Sequence, residues 1–166
     1  YCRRGMDNMC VHGGDDAAPG ELWGPGGLIE YMVAKGYQVY RVNPSLDFAQ
    51  ATLAEPWACV LRSMEKGNVQ YGDTCVITGA GIMGLLHVKA AKLSGLKAII
   101  TEVDEARKAM AKQMGADRVV DPLKESLYDV VMEETGGIGA EAVFYTAGGV
   151  KACEEGIKVL AKGGTI

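Results

Sequence analysis

From Thr74 onward the chain alternates short, nearly unbroken apolar runs with longer stretches in which apolar residues recur every three or four positions. The short runs are Thr74 to Thr78, Lys97 to Thr101, Arg118 to Val120 and Glu141 to Tyr145. They are rich in β-branched residues and predict strands. The longer stretches predict helices. One runs from Ile82 to Leu93, with Ile82, Leu86, Ala90 and Leu93 on its inner face and Gly95 as its stop. A second runs from Asp104 to Met114, with Ala106, Met110 and Met114 inward and Gly115 behind it. Asp104 and Glu105 supply its N-terminal cap and dipole charges. A third spans Ser126 to Glu134 and closes on Gly136-Gly137. A fourth spans Val150 to Ala161, with Gly163 as its stop. Strand and helix thus alternate four times at short spacing, which predicts an α/β fold with a doubly wound parallel sheet. Strands of such a sheet are covered on both faces, so runs without a polar face are expected.

The first 73 residues are patterned differently. Residues 1 to 27 are rich in Gly, Asp and Pro without a period and read as loop. Leu28 to Val33 and Gln38 to Val42 are strand-like pieces separated by Gly36. Asn43-Pro44-Ser45 is turn chemistry. From Asp47 to Met64 the pattern becomes helical, with Pro56 at a helix start or kink.

Composition adds limits. An apolar fraction of 48% in 166 residues permits a real core and about one domain. A net charge of −4 argues against a partner with a phosphate backbone, so no nucleic acid is expected. No apolar run is long enough to cross a bilayer, so no membrane partner is expected either. The cysteines, Cys2, Cys10, Cys59, Cys75 and Cys153, are odd in number and scattered. That fits a reduced, cytoplasmic setting better than a disulfide scaffold. Tyr1 at one end and the strand-like Gly163-Gly164-Thr165-Ile166 at the other predict that the chain is cut through structure at both ends.

The chemistry-bearing motif is Gly79-Ala80-Gly81-Ile82-Met83-Gly84, a GxGxxG that directly follows a predicted strand and opens a predicted helix. In that context Gly79 permits the tight turn, Gly81 clears space for a diphosphate, and Gly84 lets the helix pack close to the sheet. The unpaired amides and positive dipole end of the helix, at Ile82 and Met83, face the phosphates. A Rossmann dinucleotide site also needs an acid at the end of the second strand, about 20 residues on. Glu102 stands 18 residues past Gly84 (102 − 84). Its carboxylate can accept from both ribose hydroxyls of NAD and repels the 2′-phosphate of NADP, so NAD is expected over NADP. Arg107 either reaches the adenosine ribose, where it would support NADP, or is a solvated helix arginine.

Several strings together resemble the zinc-dependent medium-chain alcohol dehydrogenases, in their sorbitol and threonine dehydrogenase branch. Cys2-Arg3-Arg4-Gly5-Met6-Asp7-Asn8-Met9-Cys10 is similar to the second half of that family's structural-zinc lobe. Gly26-Gly27-Leu28-Ile29-Glu30-Tyr31 resembles one of its strands, and Leu53-Ala54-Glu55-Pro56-Trp57-Ala58-Cys59 its E-P-L motif. Thr135 to Ala140 and Gly163 to Ile166 match as well.

The resemblance implies a parent of roughly twice this length, of which this chain is a fragment. Residues 1–50 would be the tail of a GroES-like catalytic domain and residues 51–166 an incomplete NAD-binding Rossmann domain. It implies Cys2 and Cys10 as ligands of a structural zinc, and Glu55 as the acid beside, or bound to, the catalytic zinc. Cys59 falls one helical turn beyond that position and is expected to be a packed thiol. Cys75 and Cys153 are expected in the core, and His12 and His87 on the surface. The implied reaction is oxidation of a secondary alcohol or polyol to a ketone by hydride transfer to NAD(P), in a homo-oligomer, with zinc polarising the alcohol. The fragment itself is expected to be inactive. Two other readings compete: a zinc-free quinone oxidoreductase of the same superfamily, and a non-catalytic NAD-sensing module.

Overall fold

The computed structural model describes Glu30, Tyr31, Gly36 and residues 39–166. The chain divides into two units, Tyr1–Leu46 and Asp47–Ile166. In the first, the Asn43 side chain accepts from the Ser45 amide at 3.0 Å, the turn expected of Asn-Pro-Ser. Val39 to Val42 do not form the expected strand and are exposed. The Leu28 to Val33 piece lies largely outside the described residues.

The second unit begins with two helices, α1 (Phe48–Ala51) and α2 (Ala54–Gly67). Asp47 caps α1 through a reciprocal pair of hydrogen bonds with Gln50. Pro56 lies in the first turn of α2, where its missing N–H has no intrahelical acceptor to lose. There follow β1 (Thr74–Thr78), α3 (Ile82–Leu93), β2 (Lys97–Thr101), α4 (Glu105–Gln113), β3 (Arg118–Val120) and α5 (Leu127–Glu134). The chain then continues through β4 (Ala140–Tyr145), α6 (Val150–Lys158) and β5 (Leu160–Thr165). All five strands are parallel, in the order β3-β2-β1-β4-β5. The chain runs outward from β1 through β2 to β3, then returns to the other side of β1 for β4. In open α/β sheets a ligand crevice opens at that reversal, at the carboxyl ends of the strands.

Alternate strand residues feed two cores. Cys75, Ile77, Ala98, Ile100, Ala142 and Phe144 pack with Val60 and Met64 of α2 and with Leu86, Val88 and Ala91 of α3. Val76, Ile99 and Val143 point the other way, onto Leu127, Val130 and Val131 of α5. Every residue of β1 is buried, as a central parallel strand requires.

Three expectations about helices need correction. The last helix does not reach Ala161. It ends at Lys158, and Leu160–Thr165 form a fifth strand. Ala140 N donates to Val159 O at 2.8 Å, drawing the chain into the sheet. A side chain at Gly139 would run into the backbone of Val159, Leu160 and Ala161. Second, α4 does not turn Ala106 and Met110 inward; both are exposed, and Lys108 and Ala111 are buried instead. Lys108 is admissible there because it pairs with Asp121 at 2.8 Å and Glu105 at 2.7 Å. Third, Ile82 and Leu93 at the two ends of α3 are exposed, and its buried residues are Gly84, Leu86, His87, Val88, Ala90 and Ala91.

Candidate functional site

The glycine turn joins β1 to α3 at the reversal point of the sheet. Gly79 adopts φ +85°, which favours glycine, and its N–H donates to Thr101 O at 2.9 Å. Gly84 sits in the first turn of α3, against Gly79. A Cβ there would lie 1.8 Å from Gly79 O, so no other residue fits without moving the backbone. Gly81 differs from both. Its φ is −71°, and a Cβ added to it would meet nothing within 4 Å. Among the described residues nothing requires glycine at position 81; a ligand passing close to the backbone would.

Gly81 is also the N-cap of α3 and offers no side-chain cap. The first amides of that helix, at Ile82 and Met83, therefore have no intrahelical acceptor. Together with the helix dipole they form an anion-binding end. Ile82 is exposed beside this end, and Met83 packs partly into the core below it.

Glu102 follows β2 directly and is 8% exposed. Oε2 accepts from Ala80 N at 2.9 Å, and Oε1 accepts from Val103 N at 2.8 Å and Asp104 N at 3.0 Å. A carboxylate offers about four acceptor positions. In this arrangement one, on Oε2, remains open among the described residues. Burial pushes the Glu102 pKa up, but the amides of Asp104, Ala80 and Val103, helped by Arg107, outweigh it and hold it below the usual carboxylate value. Glu102 is therefore an anion at neutral pH. Arg107 Nη1 lies 4.0 Å from Oε2 and is 61% exposed, so the pair is loose and leaves the guanidinium free to turn. Asp104 caps α4 by accepting from Arg107 N at 2.9 Å.

Three threonines that the sequence pattern did not single out surround this turn. Thr78 ends β1, Thr101 ends β2, and Thr146 follows β4. Thr146 Oγ1 donates to Thr78 O at 2.6 Å and approaches Gly79 O at 3.2 Å. Thr78 Oγ1 accepts from Thr146 N at 3.1 Å. Their position at strand ends beside a reversal point is the signal that could have marked them.

The other candidate residues lie elsewhere or outside the described residues. Cys2, Cys10 and His12 are among the latter. Glu55 is exposed in the first turn of α2, where its Oε1 accepts from Cys59 Sγ at 3.3 Å. Cys59 is thus an exposed thiol rather than a packed one. The hydrogen bond to Glu55, then burial, then the Glu55 charge raise its pKa. Among the described residues no three His, Cys, Asp or Glu side chains converge as a metal site. Glu55 and Cys59 alone fall short of a zinc ligand set.

His87 is not a surface residue: it is 3% exposed, with its ring 4.8 Å from that of Phe144. Nδ1 lies 2.8 Å from Met83 O, and buried Nε2 has no partner. An i−4 carbonyl partner and an aromatic neighbour let a helix hold this ring inside. Cys75 is fully buried, its pKa pushed up to about 12 first by burial and then by the Asp117 charge. Cys153 is half-buried.

Residues 83–166 match the family model described as zinc-binding dehydrogenase. Sorbitol dehydrogenase of Halalkalibacterium halodurans is 32% identical over 99% of this chain and 47% of its own length. L-threonine 3-dehydrogenase of Pyrococcus abyssi is also 32% identical, over 99% of this chain and 46% of its own. Among solved structures, a zinc-binding dehydrogenase from Sinorhizobium meliloti bound to NADP superposes with a TM-score of 0.68 at 27% identity. It covers 75% of this chain and 37% of that one. The chain thus spans less than half the length of the curated relatives it matches.

Proposed function

This chain belongs to the zinc-binding dehydrogenase family, and from that membership we propose that it is the dinucleotide-binding part of an NAD-linked alcohol or polyol dehydrogenase. The observation that carries the cofactor half of this reading is the junction of Gly81 and Glu102. Ala80, the residue before an open, uncapped helix start, donates its amide to a buried carboxylate that keeps one acceptor position free. The diphosphate would lie on the Ile82 and Met83 amides, clear of any side chain at Gly81. Glu102 would accept from one ribose hydroxyl and repel a 2′-phosphate. Arg107, exposed and loosely held, would close over the adenosine side. A bound nicotinamide supplies the hydride acceptor.

The substrate half rests on relatives named for sorbitol and threonine. It commits to a secondary alcohol as the substrate class and to a ketone as the product. Residues 1–50 are proposed as the tail of the catalytic domain and 51–166 as the Rossmann domain. Cys2 and Cys10 remain proposed ligands of a structural zinc and Glu55 a proposed neighbour of a catalytic one.

The test is a fluorescence titration of the chain with NADH and NADPH, beside a Glu102→Ala variant shown to be folded by circular dichroism. Saturable binding, with NADH tighter than NADPH and that preference narrowed in the variant, supports the reading. A folded wild-type chain that binds neither dinucleotide would overturn it.

A further inference from the structure

The peptide unit between Gly79 and Ala80 is held at both ends by side chains from other strands. Its N–H, on Ala80, donates to Glu102 Oε2 at 2.9 Å. Its carbonyl, on Gly79, lies 3.2 Å from Thr146 Oγ1. The same hydroxyl makes its shorter bond, 2.6 Å, to Thr78 O. Thr146 also gives its backbone N–H to Thr78 Oγ1 at 3.1 Å, and Ala147 N approaches the same oxygen at 3.4 Å. The end of β1 and the start of the β4–α6 connection are therefore tied reciprocally, through both side chains and both backbones. The knot is tight: a Cβ added at Gly84 would lie 3.1 Å from Thr146 Oγ1 as well as against Gly79 O.

Resting on the dinucleotide reading above, we propose that Thr146 is a positioning residue for cofactor binding. Its hydroxyl fixes the carbonyls of Thr78 and Gly79, so that the first amides of α3 stay turned toward a diphosphate. A hydroxyl is neutral and adds nothing to the attraction of phosphate charge; Thr146 acts through the turn alone. Without it, the Thr78 carbonyl loses its donor and the Gly79 carbonyl loses its longer polar contact, which frees the Gly79–Ala80 peptide to rotate. That rotation carries the Ala80 N–H away from Glu102. One hydroxyl on β4's far end thus governs both the diphosphate end and the ribose end of the site.

The experiment titrates NADH into the full chain as wild type, Thr146→Val and Thr146→Ser, with the melting transition of each followed by circular dichroism. Valine keeps the shape and removes the hydroxyl; serine keeps the hydroxyl and removes the methyl. The expected result is a Kd weakened about tenfold in a folded Thr146→Val chain, the worth of one lost hydrogen bond, and recovered within about twofold in Thr146→Ser. Equal affinity of Thr146→Val and wild type would overturn the proposal. So would equal loss of affinity in both variants, since serine keeps the hydroxyl and would then have failed to rescue binding. A Thr146→Val chain that does not fold would overturn it too, by making the hydroxyl part of the fold rather than of the site. A folded wild type that does not bind NADH defeats the dinucleotide reading itself, a result separate from all three.

Discussion

The glycine turn and the first turn of α2 both carry residues with recognisable chemistry, yet they are built in opposite ways. In the turn, the backbone of Gly79 and Ala80 is gripped by Thr101, Glu102 and Thr146, which come from the ends of two strands, β2 and β4. In α2, Glu55 and Cys59 face outward and meet chiefly each other. The turn's backbone is thus held by side chains from distant parts of the unit, whereas Glu55 and Cys59 pair with each other across one turn of an exposed helix. A site whose shape is also a packing requirement can be read from a short stretch of chain.

The sharpest way to break that contrast is Gly84→Ala. Alanine would gain about 1 kcal/mol of helix propensity, but its Cβ would stand 1.8 Å from Gly79 O. The clash should win and cost about 3 kcal/mol or more, with partial or full loss of folding seen in urea denaturation. Gly81→Ala should do the reverse. Its backbone is already ordinary and its surroundings are open, so stability should stay within about 0.5 kcal/mol of wild type. NADH binding should nevertheless weaken about tenfold to a hundredfold as the methyl enters the diphosphate path. If both variants lose stability equally, Gly81 is a packing residue and the division of labour within the turn fails.

A smaller effect depends on pH. Burial lowers the pKa of His87, with the Met83 carbonyl opposing it only in part. The unfolded chain therefore takes up a proton before the folded one does, and stability present above the ordinary histidine pKa is lost as pH falls through that range. Melting midpoints measured from pH 7.5 to 5 should fall in wild type and fall less in His87→Leu. Glu102, whose pKa is also lowered, loses its contribution in a separate, more acidic window below the usual carboxylate value. Identical pH profiles for wild type and His87→Leu would remove His87 from this role. The smallest effect belongs to α2. Cys59→Ser should leave the melting midpoint and NADH affinity unchanged, since the thiol is exposed and bonded only to Glu55. A marked drop in either would mean that the outer face of α2 supports the fold after all.

The strands at Thr74–Thr78 and Lys97–Thr101 fall where the apolar pattern puts them, because a strand covered on both faces reads as a short, unbroken apolar run between periodic helices. The acid after the second strand stands out for a related reason: motif and topology demand it at one place. Three of the misreadings share another cause, a partner elsewhere in the chain. Val159 to Ala161 continue a helical pattern until Ala140 and Gly139 hold them in the sheet. Lys108 reads as solvent-facing until Asp121 arrives beside it. His87 reads as polar surface, yet its own helix supplies the Met83 carbonyl and β4 supplies the Phe144 ring that let it be enclosed. The threonines around Gly79 carry no motif at all, and only the return of β4 to the side of β1 gives them a purpose.

Glu102 also sets a constraint on redesign. An engineer seeking to move this protein from one dinucleotide to the other would begin by deleting the negative charge after β2. Here that deletion would remove the acceptor for three backbone amides, Ala80, Val103 and Asp104, along with the charge. On the proposed reading, selectivity and loop shape would hang on one side chain. A successful swap would have to bring in a neutral acceptor of similar reach together with any new phosphate-binding cation, as a paired change rather than a single substitution.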